Sequence, residues 1–359
     1  MRRYMFLRHY GLILLVLVFM NCWNDQDNEI TAPKTPNYTV SGGVFDIDSH
    51  EIMQNSIITL NAVELIYEVD FVAVTDTTDS AGHYSFSNIT PGTYQIEAKR
   101  GRYNVLSESI VVQHEDKYQD LELPKVILAD AYYQPSSANG SREYPRLNGI
   151  HWKDSGTLAG VWQWKDWGDD PGGRWRVVTG FFGSPFTIIG ERNFRTENSE
   201  FWGITYLINY WVCGGSGFNS KIYIIYPGDG RISGQIDVPY DMLDLTNDGT
   251  NIWGISSNGK AIKYSVHASL IDAIYDVENP NPSGIAWDGS TIWTSDKVVN
   301  YVYQHAADFS INKTYLPYLD AGFGNITAIN GLKYLTFDVN GRLWASDGYT
   351  VYRFQKVEQ

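Results

Sequence analysis

Three stretches of this chain carry one phrase. They are LTNDGTNIWGIS (Leu245 to Ser256), IAWDGSTIWTSD (Ile285 to Asp296) and LTFDVNGRLWASD (Leu335 to Asp347). An apolar strand runs into an Asp- or Asn-Gly turn, and a second strand leaves it with a tryptophan near its start. Asp, Asn and Gly tolerate the positive φ of a tight hairpin, so each phrase predicts two antiparallel strands. Similar starts recur as LNGI (147–150), FWGI (201–204), MLDL (242–245), PSGI (282–285) and LKYL (332–335). Aligned on these, the equivalent tryptophans are Trp162, Trp211, Trp253, Trp293 and Trp344, spaced by roughly 40 to 50 residues. A period of that length with several short strands per unit is the mark of a β-propeller. The expectation is five blades, or six if the irregular stretch 165–200 hides another, with each tryptophan filling the wedge between neighbouring blades. The last unit ends soon after its third strand, Val351 to Phe354. Lys125 to Tyr133 (KVILADAYY), just before the first unit, is the segment expected to close the ring.

The phrase resembles propellers of the gluconolactonase, NHL and glutaminyl cyclotransferase type, whose blades carry a similar D-G-x-x-L-W-x-x-D. Such propellers place ligands where the inner strands start. Here those positions offer Asn148, Trp202, Leu243 with Asp244, Ser283 and Lys333. A calcium-dependent lactonase needs about six to eight oxygen ligands around its ion, and this set is poor in them. The F-T-Q-G-L phrase of the cyclotransferases has no counterpart; the nearest text is Phe201 to Tyr206. The resemblance therefore implies architecture and no activity. His151, His267 and His305 stand isolated and read as structural. No nucleophile elbow, zinc-helix motif or phosphate loop occurs.

Eleven of the 12 tryptophans lie after residue 150, which marks a domain boundary. Before it, 38–125 is a run of short strands: Tyr38 to Phe45, Ser56 to Leu60, Val69 to Val74 and His83 to Phe86. Asp79 to Gly82 and Pro91-Gly92 are turns, and Tyr84, Phe86, Tyr94, Ile96 and Ala98 are inward-facing. Val40/Gly42/Val44, Thr78 to Phe86, Pro91 to Tyr94 and Gly101 to Tyr103 together resemble the carboxypeptidase regulatory-like domain. That resemblance implies a seven-stranded transthyretin-like sandwich used as a non-catalytic spacer. Related adhesin domains form isopeptide bonds from an early-strand lysine, but no lysine occurs between Lys34 and Lys99. His83 and Glu97 read as solvent-facing strand residues.

The amino terminus pairs a basic head (Arg2, Arg3, Arg8) with an apolar run from Gly11 to Met20, followed by Asn21 and Cys22. That run is too short to span a bilayer and has the length of a signal-peptide core. A cysteine at its end resembles a bacterial lipoprotein signal, which implies cleavage and acylation at Cys22. Residues 1–22 then form the signal, 23–37 a polar tether, 38–125 the sandwich and 126–359 the propeller. Cys213, the other cysteine, is expected in the core. The formal net charge of -14 argues against nucleic acid as a partner.

One stretch stands apart: WQWKDWGDDPGGRW, Trp162 to Trp175. Trp167 and Trp175 beside Asp166, Asp169, Asp170 and Arg174 are the means to grip a sugar ring, whose faces stack on aromatics while its hydroxyls bond to charged groups. The bland alternative is that these tryptophans pack blades together. The acid pair and glycines could also hold a structural calcium; no other cofactor is expected. The sequence thus predicts an all-β, exported cell-envelope lipoprotein, anchored in the outer membrane and facing the periplasm or the exterior. It reads as a binder of a glycan, peptide or envelope protein. A propeller enzyme or a structural component of a surface complex are the alternatives.

Overall fold

The computed structural model describes residues 37–66, 71–101, 103–133, 146–154, 157–164, 174–181, 187–194, 200–216, 220–320 and 326–355; between 162 and 200 only strand backbone is described. Among these residues there are strands and turns and no helix. The signal, Cys22 and the tether lie outside the described residues.

The first domain is a sandwich built from β1 (Tyr38–Asp46), β2 (Ile57–Leu65), β3 (Val74–Thr77), β4 (His83–Ile89), β5 (Gly92–Arg100), β6 (Tyr103–Val112), β7 (Lys117–Tyr118) and β8 (Leu121–Leu123). One sheet runs β4-β1-β7, with β8 also on β1, and the other runs β3-β2-β5-β6. Alternation decides the faces: Tyr84, Phe86, Tyr94, Ile96 and Ala98 all point into one core with Val40, Val44, Ile58 and Leu60. The short β7 and β8 are two pieces of one seventh strand. Between them the Gln119 carbonyl crosses Gly42 so closely that a Cβ there would lie 1.8 Å from it, which no side chain permits. The third strand starts at Val74, later than its sequence suggests.

The second domain is a ring of five four-stranded antiparallel blades. After β9 (Lys125–Tyr133), blade 1 is β10 (Arg146–Asp154), β11 (Thr157–Trp164), β12 (Arg174–Phe181) and β13 (Thr187–Phe194). Blade 2 is β14 (Glu200–Leu207), β15 (Tyr210–Ser216), β16 (Lys221–Ile225) and β17 (Ile232–Asp237). Blade 3 is β18 (Met242–Asn247), β19 (Asn251–Ser256), β20 (Lys260–Ser265) and β21 (Leu270–Asp276). Blade 4 is β22 (Pro282–Trp287), β23 (Ile292–Asp296), β24 (Val302–His305) and β25 (Ile311–Asp320), with β26 (Ile326–Ala328) beside β25. Blade 5 is β27 (Tyr334–Phe337), β28 (Leu343–Ser346) and β29 (Val351–Phe354). The inner strands β10, β14, β18, β22 and β27 pack side by side in chain order, and β27 returns to β10. The stretch 165–200 supplies blade 1's outer half, so the count is five.

Blade 5 lacks a fourth strand of its own, and β9 provides it, pairing antiparallel with β29 from Val351↔Tyr133 to Phe354↔Ala129. The expected closing segment is thus the one used. β9 does a second thing the sequence does not announce. Its first half pairs in parallel with β25 of blade 4, from Tyr315↔Lys125 to Leu319↔Ala129.

The wedge tryptophans follow a local rule in three blades. The turn aspartate accepts the following backbone N–H groups and the indole N–H: Asp248 takes Trp253 Nε1 at 2.9 Å, Asp288 takes Trp293 at 2.7 Å and Asp338 takes Trp344 at 3.1 Å. Each ring then meets the next blade. Trp293 lies 5.4 Å from the Phe337 ring, and Trp344 stacks 5.1 Å from Trp152 of blade 1. The sequence-based equivalence of Trp162 and Trp211 with these three does not hold. In blade 1 the wedge position is Ala159, opposite His151; Trp162 lies further along, opposite Leu147. In blade 2 the two-residue turn Ile208-Asn209, both residues at positive φ, falls at the same place along its hairpin as Gly249-Thr250 in blade 3, so the residue matching Trp253 is Val212, opposite Thr205, and Trp211 stands one residue before it. Successive side chains of a strand point to opposite faces. Val212 therefore faces blade 3, while Trp211 faces back into blade 1 and packs with Ala159 and Val161. One indole fills the wedge between blades 1 and 2, from the opposite side.

Candidate functional site

The inner strands come together so tightly that small residues are needed where they touch. A Cβ on Gly149 would lie 2.7 Å from Gly203 Cα, one on Gly203 2.6 Å from Asp244 Cα, and one on Gly284 2.8 Å from the Lys333 carbonyl. At this level blade 3 carries Asp244, whose side chain reaches out of its own blade. Oδ2 accepts the N–H of Ile285 in blade 4 at 3.1 Å and of Leu335 in blade 5 at 3.2 Å. Oδ1 accepts the N–H of Leu245 at 2.9 Å. Asp244 is fully buried. Burial drives its carboxyl well above the usual carboxylate range, while the three N–H donors favour the charged form and pull the other way.

The rest of the hub is laced from blade to blade. Asn148 Nδ2 donates to the Phe201 carbonyl at 3.3 Å (blades 1 and 2), and Asn247 Nδ2 to Thr205 Oγ1 at 2.6 Å (blades 3 and 2). Ser283 Oγ donates to the Leu332 carbonyl at 2.7 Å (blades 4 and 5), and the Trp152 N–H to Thr336 Oγ1 at 3.1 Å (blades 1 and 5). With Asp244 joining blades 3, 4 and 5, every neighbouring pair is tied. Chemically, these bonds engage the hub's polar side chains in holding blades together. Asn148 Oδ1 is buried and has no hydrogen-bond partner among the described residues.

The histidines do not form reactive pairs. His151, half-buried on β10 beside blade 2, is held down to about 4 by desolvation, and its Nδ1 lies 3.4 Å from Thr205 Oγ1. His305 is buried, with Nε2 2.8 Å from Thr294 Oγ1 and Nδ1 3.1 Å from the Phe309 carbonyl. Burial lowers it too. His267 is exposed. Cys213 is buried among the blade 1 and 2 side chains, and desolvation pushes its thiol up. Among the described residues, no three His, Cys, Asp or Glu side chains converge as metal ligands.

Of the residues read from the sequence as a sugar-gripping loop, Asp166, Trp167, Asp169 and Asp170 lie outside the described residues. Arg174 and Trp175 open β12, opposite Trp164 and Gln163 of β11. Gln163 in turn sits opposite Arg146 at the start of the inner strand. β11 therefore ends, and β12 begins, at the end of the ring where the inner strands start: the mouth over Asp244. Asn148, Trp202, Leu243, Ser283 and Lys333 share that end. Sequence reasoning weighed Asp244 as a metal ligand and missed its cross-hub role. The available signal was an acid standing where three other starts carry glycine.

Residues 38–128 match the family model described as BOS complex subunit NOMO1-like, second beta sandwich domain. That domain is a sandwich of the same immunoglobulin- and transthyretin-like kind expected from the sequence. Among solved structures the chain is similar to Myxococcus xanthus glutaminyl cyclase, at 9% identity over 65% of this chain and 97% of that chain (TM-score 0.47). It is also similar to a streptogramin B lyase, at 13% identity over 63% and 96% (TM-score 0.37). A chain of a mitotic checkpoint complex is similar at 11% identity over 64% and 95% (TM-score 0.39). No curated protein matches. These structural likenesses are too remote to carry an argument about activity; the propeller rests on its sheet topology.

Proposed function

We propose that this chain is a bacterial cell-envelope lipoprotein that binds a glycan, peptide or partner protein at the mouth of its propeller. The observation that supports binding over catalysis is Asp244. It is the acid at the hub, and both its oxygens already accept N–H groups from three blades. A carboxylate so engaged is poorly placed to hold a metal or to take a proton from substrate. The ligand surface we propose includes Trp167 and Trp175 with Asp166, Asp169, Asp170 and Arg174, residues that follow the end of β11 or open β12; a calcium ion held by the acid pair is part of the same proposal. The sandwich serves as a carboxypeptidase regulatory-like spacer, and the lipid on Cys22 anchors the whole to the outer membrane.

Two experiments test this. Mass spectrometry of the membrane-extracted protein should find a diacylglycerol-modified Cys22 at the mature terminus; an unmodified terminus elsewhere removes the anchor. A glycan array probed with the soluble chain from residue 23, carrying Cys22→Ser, should give a bound sugar. Trp167→Ala and Trp175→Ala should each weaken that binding by about 1 to 3 kcal/mol, the worth of aromatic stacking, with an unchanged Tm. Turnover of a lactone that Asp244→Asn abolishes would overturn the binding reading.

A further inference from the structure

The sandwich and the propeller are separated by a single residue, Pro124, between β8 and β9. The two domains also share a core: Val126 of β9 and Leu316 of β25 pack against the sandwich interior. A polar pin sits beside it. Asp48, in the turn after β1, accepts the Thr314 N–H of β25 at 3.0 Å and lies 3.8 Å from Lys125 Nζ of β9. The sandwich thereby grips the two strands that meet at the ring's closure. From there β9 runs on to hold β29, helped by the Gln355 N–H to the Leu128 carbonyl at 2.8 Å and by Arg353 to Asp130 at 2.8 Å.

We propose that the sandwich is the clasp of the propeller: its hold on β9 and β25 keeps the fifth blade shut, and loosening that hold opens blade 5 before any other. Blades 1 to 3 take all four strands from their own segment, so they do not depend on the clasp. Blade 5 does, because its outer strand is the sandwich's own continuation. The consequence reaches the hub, since β27 of blade 5 supplies the Leu335 N–H to Asp244. A partner or membrane that draws the sandwich aside would act on the mouth through this blade. The clasp rests on strand pairing and holds whatever the ligand is.

Hydrogen-exchange mass spectrometry on the full-length protein tests it. Asp48→Ala should speed exchange in 125–133 and 343–354 by about tenfold, the effect of one lost part-buried hydrogen bond and its ion pair on a local opening, with 200–276 unchanged. Asp48→Asn, which keeps an acceptor for Thr314, should restore most of the protection. Should Asp48→Ala fail to fold, Lys125→Met removes the ion pair alone and should raise exchange in the same two segments to a smaller degree. Unchanged exchange at 343–354, or equal acceleration in 200–276, would overturn the clasp.

Discussion

Replacing Asp244 with alanine would strand the N–H groups of Ile285 and Leu335, which it accepts from a fully buried position. Each orphaned donor costs about 1 to 3 kcal/mol, so Asp244→Ala should lose about 2 to 6 kcal/mol in urea unfolding. Asp244→Asn should lose less, because its amide oxygen can still accept across the hub. Equal losses would mean the cross-hub bonds contribute nothing. His151 gives a pH test. Its ordinary value is 6.5, and in the folded chain it is near 4. Between these values only the unfolded chain takes the proton, so stability falls as pH drops from 6.5 to 4, by roughly 3 kcal/mol in all. His305 shifts in the same direction. His151→Gln should therefore remove part of the acid slope in that window; an unaltered slope contradicts the assignment. Neither role was visible in the sequence, since each depends on what a neighbouring blade presents.

At the scale of elements, hairpins were the legible part. Asp248, Asp288 and Asp338 announce their turns because a carboxylate two residues before a backbone N–H caps it wherever it occurs, and the tryptophan bond follows from the same turn. The face a strand shows was less legible. It depends on which residue pairs with the one after the inner-strand Ile or Leu, and the eye instead aligns tryptophans. By that pairing the wedge positions are Ala159, Val212, Trp253, Trp293 and Trp344. The missing turn aspartate before Trp211 was the available warning. The shared wedge makes a prediction. Ala159→Trp should overpack against Trp211 and cost about 1 to 3 kcal/mol. Combining it with Trp211→Ala should recover much of that loss, because one indole again fills the space. A double-mutant cycle on Tm or urea midpoint measures the coupling; simple additivity would show that the two residues do not compete.

The molecule as a whole is one body with two recognisable folds. Sequence showed both folds, because a change in tryptophan content and in repeat length is local information. It did not show the shared core of Val126 and Leu316 or the double pairing of β9, which only three-dimensional neighbours create. A chain beginning at Asn139 lacks β9 and should leave the edge beside Val351 to Phe354 open, which invites aggregation. A chain beginning at Leu123 keeps the closing strand and should stay soluble, though less stable than the full protein because its Leu316 and Val126 lose their cover. Comparable solubility of the two would refute the closure. The most direct test of the account is to unfold the full chain in urea while watching each domain separately. Residues 38–123 contain no tryptophan, so tryptophan fluorescence reports the propeller, and pulsed hydrogen exchange on β2, β5 and β6 reports the sandwich. One shared midpoint for both signals is the result expected of a ring closed by the sandwich's own strand; sandwich amides that stay protected after the propeller's fluorescence transition is complete would contradict it.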